Sequence, residues 1–488
     1  MNGGTAAGLG FTIAIDAPYD LAVNDNRVRA LITIEVHRGD AAVAAGRAAE
    51  ILIMDRSRSM MGQNKIHEAR RAACAAIDVL PDGVLLGIIS GNHKAERIFP
   101  AAAGGLAAVN AETKATAKRQ VMGLRPEGGT EIGRWLAGAG ELFATVPAAG
   151  VIRHAVLYSD GKNEHQTREE LDAALSTCTD RFVCDVRGLG TDWDYAELLH
   201  IAEALHGDAR AVLHSADLAE DFTRLMDRAR RLVVPRAYLR LSPDGRFRID
   251  SIAQTHPVQA DLTHQQRPAD GPAVDVPLGS WEQETRRYEL SLCFDPNALP
   301  IAVEVRATAV ELLAETADGA RERRADAPLV VRRHDMPGFE TVMSESLTRV
   351  EKEREVTFAI MACANAGLNG RTAEADAELD KAIRLAREID DVRLLLLTGL
   401  TVIGPDGGAR LRPDLTRGKL QELGLESVRT GRRVISADSA DEANQSNGQA
   451  GRPSFSARTC RVCGETTYAA DPKGCENCAA PFRDEAVS

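Results

Sequence analysis

The order of apolar and polar positions divides the chain into regions of different secondary structure. Between residues 48 and 235, short apolar runs alternate with stretches whose apolar residues recur every three or four positions. The runs predict strands buried on both faces, and the stretches predict amphipathic helices. This alternation is typical of a doubly wound, mainly parallel α/β sheet. Strands are expected at 50–55, 83–90, 154–160 and 182–190, and helices at 65–80, 130–146, 167–178, 194–205 and 218–234.

Strict alternation of apolar and polar residues predicts antiparallel strands on both sides of this domain. Residues 236–335 contain several such runs and predict a β-sandwich, which the two runs in 1–47 are expected to join. The stretch from Tyr238 to Ile249 alternates on both sides of Asp244-Gly245. Because Asp-Gly is a favoured two-residue turn, we predict a β-hairpin there.

The C-terminal third contains three regions of different composition and predicted structure. Residues 336–435 have helical periodicity and predict a helical segment, without a repeated period. Residues 436–457 are rich in Ser, Asn and Gly and predict a flexible linker, and a cysteine-rich segment occupies 458–488. We therefore predict a multidomain fold, α/β plus β, with a helical segment.

Length, charge and composition disfavour several classes of protein, among them nucleic-acid-binding and membrane-spanning proteins. A chain of 488 residues is expected to form several domains. Its formal net charge of −12 makes nucleic-acid binding unlikely, since such proteins need a basic surface. The sequence contains no run of 18 apolar residues, so no membrane span is predicted. The N-terminal residues do not resemble a signal peptide. We expect a cytoplasmic protein without a membrane partner.

An oxygen-rich turn follows the first predicted strand of the α/β domain. The sequence ILIMDRSRSM carries Asp55, Ser57 and Ser59 at alternate positions. One of them could cap the next helix, but a cap needs a single residue. A nucleophilic serine is disfavoured because the glycines of the hydrolase elbow are missing. The third interpretation is a hard-cation site at the carboxyl end of the sheet, completed by Thr130 and Asp160 from later loops.

The ordered set D-x-S-x-S, G-G-T and S-D-G resembles the von Willebrand factor A (VWA) domain and its metal-ion-dependent adhesion site (MIDAS). The resemblance covers roughly 48–234 and implies a Rossmann-like sheet wrapped by helices. It implies that Asp55, Ser57, Ser59, Thr130 and Asp160 bind Mg²⁺, or Mn²⁺ or Ca²⁺, directly or through water. It also implies that an Asp or Glu of a protein partner fills the open coordination position. Arg56 and Arg58 are expected beside the site, either favouring an acidic partner or simply solvated.

Four of the nine cysteines lie close together near the C-terminus. Cys460, Cys463, Cys475 and Cys478 form two C-x₂-C pairs separated by eleven residues. Four thiolates at this spacing suit a closed, structural Zn²⁺ site, and the segment resembles a zinc ribbon. Iron in the same cage is less expected because aromatic residues are few. Mixed local charge favours a protein contact for this segment.

Together these features predict a non-enzymatic protein-interaction scaffold. The layout is similar to intracellular bacterial VWA proteins, including those associated with stress-response or defence gene clusters and with MoxR-type AAA+ ATPases. One alternative is an RNA-binding VWA protein resembling the Ro autoantigen, which the net charge disfavours. Another is a metal-dependent hydrolase, for which His165 is the candidate general base.

Overall fold

The structure is a computed structural model of the whole chain. It describes residues 9–38, 47–101, 104–147, 150–160, 163, 165–213, 217–316, 319–336, 338–405, 407–431, 456–459 and 466–469. The chain divides into two compact units, Met1–Arg432 and Arg433–Ser488.

The elements are numbered in chain order. The strands are β1 (Leu9–Asp16), β2 (Asp20–Leu21), β3 (Arg27–Arg38), β4 (Arg47–Asp55), β5 (Leu85–Gly91), β6 (Ala95–Phe99), β7 (Ala107–Ala108), β8 (Val151–Ser159), β9 (Val183–Leu189), β10 (Ala209–Val212), β11 (Val234–Pro243), β12 (Phe247–His256), β13 (Ala260–Asp261), β14 (Arg267–Pro268), β15 (Val274–Trp281), β16 (Thr285–Phe294), β17 (Glu304–Glu315), β18 (Arg321–Arg333), β19 (Thr401–Ile403), β20 (Ala409–Leu411), β21 (Ser456–Thr459) and β22 (Thr466–Ala469). The helices are α1 (Lys65–Val79), α2 (Ala111–Met122), α3 (Ile132–Phe143), α4 (Arg168–Cys178), α5 (Tyr195–Ala204), α6 (Leu218–Arg231), α7 (Glu345–Leu368), α8 (Thr372–Glu388), α9 (Leu394–Gly399) and α10 (Arg417–Glu426).

A seven-stranded sheet forms the centre of the α/β domain. Its order is β10-β9-β8-β4-β5-β6, with β7 also paired to β5. The first five strands run parallel, and β6 and β7 are antiparallel to β5. Ile51 and Ile53 of β4 face a core formed with α3, α4 and α5, whereas Leu52 and Met54 face a core formed with α1, α2 and α6. Helices therefore cover both faces, and the predicted doubly wound α/β sheet is confirmed.

Two further sheets face each other and enclose a separate core. One has the order β1-β3-β16-β12-β13, and the other has the order β14-β15-β11-β17-β18-β2. Leu239 and Val310 on one sheet and Ile32 and Tyr288 on the other contribute fully buried side chains to this core. Strands from before and after the α/β domain share both sheets, because β3 pairs with β16 and β2 pairs with β18.

The predicted hairpin between Tyr238 and Ile249 is wrong. β11 pairs with β15 and β17, whereas β12 pairs with β13 and β16 in the opposite sheet. The primed turns that favour a two-residue hairpin need a positive φ, but Gly245 is not among the residues with positive φ. The turn from Asp244 to Phe247 therefore carries the chain from one sheet to the other, so that both strands present apolar residues to the shared core.

After the sandwich, the described residues up to 431 form four helices and a small hairpin of β19 and β20. α7 packs against α8, and α10 packs against α7, α5 and β10. Gln421 of α10 is buried and accepts the backbone N–H of Tyr195 at 3.0 Å. Gly424 allows the Tyr195 ring to lie close, because a Cβ at that position would lie 2.4 Å from the ring. This part of the chain is thus built against the α/β domain.

No helix in the described ranges has the length and apolar character needed to cross a membrane.

In the second unit, β21 and β22 form an antiparallel pair with Thr459 opposite Thr466. The four cysteines of the predicted zinc ribbon, Cys460, Cys463, Cys475 and Cys478, lie outside the described residues.

Candidate metal centre

The predicted site residues meet at the carboxyl edge of the parallel sheet. Asp55 is the last residue of β4, and Asp160 directly follows β8, its neighbour in the sheet. Thr130 lies just before α3, in a loop at the same edge. Open α/β sheets bind ligands at this edge because the loops of adjacent strands converge there.

Asp55 is held by hydrogen bonds beneath the turn. Its carboxylate is 1% exposed, and it accepts the backbone N–H of Ser57 and the hydroxyl of Ser159, each at 2.7 Å. Burial raises the pKa of Asp55 to about 6, with a further contribution from the nearby Asp160 carboxylate, although hydrogen bonds from the two serines oppose the change. The carboxylate is therefore oriented, but its negative charge is poorly compensated.

The two serines of the turn connect to the second aspartate. The Ser57 and Ser59 hydroxyl oxygens are 2.7 Å apart, and the Ser59 hydroxyl donates to Asp160 Oδ1 at 2.7 Å. Ser57 and Asp160 are buried, whereas Ser59 is exposed. Four of the five predicted ligands are thus joined by short polar contacts, with Ser59 at the solvent side.

The fifth residue, Thr130, reaches the site through its loop. The backbone N–H of Arg58 donates to Gly128 O at 3.0 Å, which ties the Thr130 loop to the serine turn. Gly128 has a φ of +76°, a conformation that favours glycine. The Thr130 N–H donates to His165 Nδ1 at 3.3 Å. His165, the candidate base of the hydrolase alternative, therefore contacts the Thr130 backbone through this ring nitrogen.

Two residues that the sequence analysis did not identify complete the cluster. Lys65, the first residue of α1, donates to Asp160 Oδ2 at 2.6 Å and to Asp192 Oδ2 at 2.8 Å. Burial opposes its charge, but the hydrogen bonds to the two carboxylates prevail and raise the pKa of Lys65 above its ordinary value. Asp192 follows β9 at the same edge of the sheet. That position was a usable signal for Asp192, whereas the sequence pattern did not distinguish Lys65 from an ordinary helix residue.

The two arginines of the turn have different surroundings. Arg56 pairs with Glu96 at 3.0 Å and also with Glu127, and its side chain is 11% exposed. Arg56 is thus neither simply solvated nor free of acidic contacts, and its ion pairs within the chain make it a poorer candidate than Arg58 for attracting an acidic partner. Arg58 is exposed and forms no ion pair with any residue that the structure describes.

The donor set fits a hard divalent cation. Hydroxyl and carboxylate oxygens are the ligands that Mg²⁺, Mn²⁺ and Ca²⁺ prefer. Of the two buried carboxylates, Asp160 pairs with the Lys65 ammonium, whereas Asp55 has no ion pair among the described residues, and buried charge is unfavourable unless it is paired. The candidate site relies on hydroxyl oxygens as well as carboxylates, since no group of three or more His, Cys, Asp and Glu side chains is placed to hold an ion anywhere in the described ranges, this site included. A cation among the hydroxyls would supply the missing positive charge.

Comparison with known proteins agrees with this architecture. The family profile described as von Willebrand factor type A domain matches residues 49–211. A solved structure, von Willebrand factor type A from Catenulispora acidiphila, is 30% identical and covers 88% of this chain and 99% of its own, with a TM-score of 0.78. The ArnB paralog VWA2 from Sulfolobus acidocaldarius shares the fold at 16% identity and a TM-score of 0.50, covering 86% of this chain and 98% of its own.

No curated protein matches the chain significantly. The profile match covers the α/β domain up to β10, and the Catenulispora structure extends the similarity to most of the chain. The chain belongs to the von Willebrand factor type A domain family.

Proposed function

We propose that this protein is a non-enzymatic interaction scaffold whose VWA domain holds Mg²⁺, or a similar divalent cation, for recognition of a partner. Asp55, Ser57, Ser59, Thr130 and Asp160 would hold the ion, directly or through water. The ion would supply an electrophilic centre with an open coordination position. An Asp or Glu side chain of a partner protein is the ligand that such a centre favours.

One observation carries the proposal: two buried carboxylates and the two serine hydroxyls converge at the carboxyl edge of the sheet. The contacts Ser57–Ser59 and Ser59–Asp160 are each 2.7 Å, so one small ion could replace several of these hydrogen bonds. Ser59 is exposed, which leaves the cluster open to solvent on one side. The cluster therefore combines buried negative charge with a side that is open to solvent. A cation-bridged protein contact requires both features.

The second unit would add a zinc ribbon. β21 ends at Thr459, directly before Cys460, and β22 begins at Thr466, shortly after Cys463. A hairpin that brackets the first C-x₂-C pair supports a ribbon in which the four cysteines bind structural Zn²⁺. The wider setting would be the bacterial cytoplasm, in a stress-response or defence system with a MoxR-type AAA+ ATPase as a partner. The support for that setting is the resemblance of the domain layout.

The cation site can be tested by Mn²⁺ binding to the purified full chain, followed by electron paramagnetic resonance. Asp55→Ala and Ser59→Ala should each weaken binding by tenfold or more, because each removes an oxygen of the cluster. Ser176→Ala is the matched control, since that exposed serine of α4 bonds only a carbonyl of its own helix in the described contacts. Equal Mn²⁺ affinity in wild type, Asp55→Ala and Ser59→Ala would refute the proposal.

The partner function can be tested by quantitative affinity purification from a native lysate. Proteins that depend on the site should be depleted by Asp55→Ala and by a chelator, and retained by Ser176→Ala. Partner recovery that is identical for all three conditions would contradict a cation-bridged contact. A turnover screen of the same variants with Mg²⁺ and Mn²⁺ checks the non-enzymatic part, since hydrolysis lost in Asp55→Ala would contradict it.

A further inference from the structure

Lys65 occupies an unusual place in the candidate metal centre, because it is a cation that already contacts one of the proposed ligands. Its ammonium lies 2.6 Å from Asp160 Oδ2, and its side chain is only 12% exposed. Asp160 uses its other oxygen to accept the Ser59 hydroxyl. Lys65 and the serine cluster therefore hold opposite oxygens of the same buried carboxylate.

We propose that Lys65 is a resident counter-cation that competes with the divalent ion for Asp160 and so keeps cation binding weak and reversible. The inference rests on the proposed cation site and describes how that site is regulated. Without a divalent ion, Lys65 neutralises Asp160, one of the two buried aspartates, which allows the empty site to remain folded. With an ion present, its ammonium repels the second positive charge across a poorly screened interior.

The charges explain why this competition has two effects of opposite sign. Asp55 and Asp160 carry two negative charges in the buried part of the site, and Lys65 leaves one of them uncompensated. Removing the lysine charge leaves both uncompensated, so the site without metal becomes less stable. The same change makes the site more attractive to a divalent cation.

Asp192 contacts the Lys65 ammonium from the solvent side and partly neutralises its charge. It accepts a hydrogen bond from Lys65 at 2.8 Å, and its own side chain is 62% exposed. Its negative charge partly offsets the repulsion between Lys65 and a bound ion. Neutralising Asp192 should therefore weaken cation binding, the reverse of neutralising Lys65.

The loop that carries Asp192 is fixed by the helical segment. The Trp193 carbonyl accepts the Gln421 side-chain amide at 2.7 Å, and the Trp193 indole N–H donates to Gly190 O at 2.9 Å. Thr191 lies so close to α10 that a Cβ on Gly418 would be 2.9 Å from its methyl carbon. Lys65 is therefore held between Asp160 of the VWA domain and a loop that α10 supports.

The test compares Lys65→Gln, Lys65→Arg and Asp192→Asn in the full chain, with Mn²⁺ alone as the ligand. Lys65→Gln keeps a hydrogen-bond donor and removes the charge, and it should bind Mn²⁺ on the order of tenfold more tightly than wild type. Asp192→Asn should bind about two- to threefold more weakly, since its exposed charge is screened. Lys65→Arg keeps the charge and should stay within about twofold of wild type.

Thermal unfolding supplies the second readout. Without metal, Lys65→Gln should melt a few degrees below wild type, and added Mn²⁺ should raise its melting temperature more than that of wild type. A lysine with only a structural role would lower stability without tightening Mn²⁺ binding. If wild type binds Mn²⁺ and Lys65→Gln binds it no more tightly, this inference is refuted while the cation site stands. If wild type binds no Mn²⁺, the proposed function itself fails.

Discussion

A buried histidine between two carboxylates provides a quantitative test of the structure. His154 of β8 lies beside Glu50 of β4, with 2.7 Å between Nδ1 and Oε2, and beside Asp185 of β9, with 3.2 Å between Nε2 and Oδ2. All three side chains are at most 4% exposed. Replacing His154 by Gln would leave two buried carboxylates without their shared cation. Breaking a buried ion pair in this way is expected to destabilise the chain by about 3–5 kcal/mol.

The effect should depend on pH in a defined direction. Burial lowers the pKa of His154, but Glu50 and Asp185 prevail and raise it to about 10. In the unfolded chain the imidazole loses its proton near pH 6.5, so folding takes up a proton between these values and stability falls as pH rises. The contribution is complete below about pH 6.5 and is lost as pH approaches 10. Raising the pKa from 6.5 to about 10 corresponds to an upper limit of about 5 kcal/mol.

The assay is urea unfolding followed by tryptophan fluorescence, since Trp135 and Trp193 are fully buried in the same domain. The free-energy difference between wild type and His154→Gln should be largest at pH 6.5 and should shrink steadily towards pH 9.5. His206→Asn is the control: the pKa of His206 is lowered to about 3 by burial, so that residue is neutral in the folded chain throughout this range. Its φ of +54° is one that Asn tolerates. A wild-type advantage over His154→Gln that is constant or grows with pH would refute the charged triad.

Three further predictions concern other parts of the chain. Gly424→Ala would place a Cβ 2.4 Å from the Tyr195 ring, and calorimetry should show a destabilisation of about 1–3 kcal/mol; an unchanged melting temperature would contradict the close packing. Burial raises the pKa of Glu203 to about 7, so its folded form loses stability between about pH 4.5 and 7, and Glu203→Gln should be more stable than wild type by about 1–2 kcal/mol at pH 8 and equal to it at pH 4.5 in urea unfolding. Cys475→Ser should abolish bound zinc in elemental analysis while the first compact unit, Met1–Arg432, melts as in wild type; retained zinc would exclude Cys475 as a ligand.

The local pattern was informative where one face or both faces of an element are buried. The strand predicted at 50–55 lies within β4, and the helix predicted at 65–80 matches α1, because apolar periodicity directly reflects which side chains enter the core. The pattern did not reveal β6, α2 or β10. Ala117 and Val121 are the only buried residues of α2. Its sequence therefore carries little of the apolar periodicity that predicts a helix.

In the candidate site, too, some residues could be predicted from the sequence and others could not. Asp55, Ser57, Ser59, Thr130 and Asp160 were identified from three short motifs, two of which follow strands of the sheet while the third precedes α3. Lys65 and Asp192 were missed, although they complete the ion pairs. The ion pairs of Arg56 with Glu96 and Glu127, which lie 40 and 71 positions away in the sequence, were not predicted either.

The amino-acid order alone specified the α/β class of the central domain, most of its strands and helices and the oxygen donors at its edge, because periodicity and turn chemistry are local properties. Only the tertiary structure showed that β11 and β12 enter opposite sheets and that His154 lies between Glu50 and Asp185 inside the domain. Likewise, only the tertiary structure showed that Lys65 contacts Asp160, which lies 95 positions away in the sequence. The physical reason is that pairing partners and electrostatic neighbours are set by how distant segments pack, and the sequence near each residue carries no record of that packing.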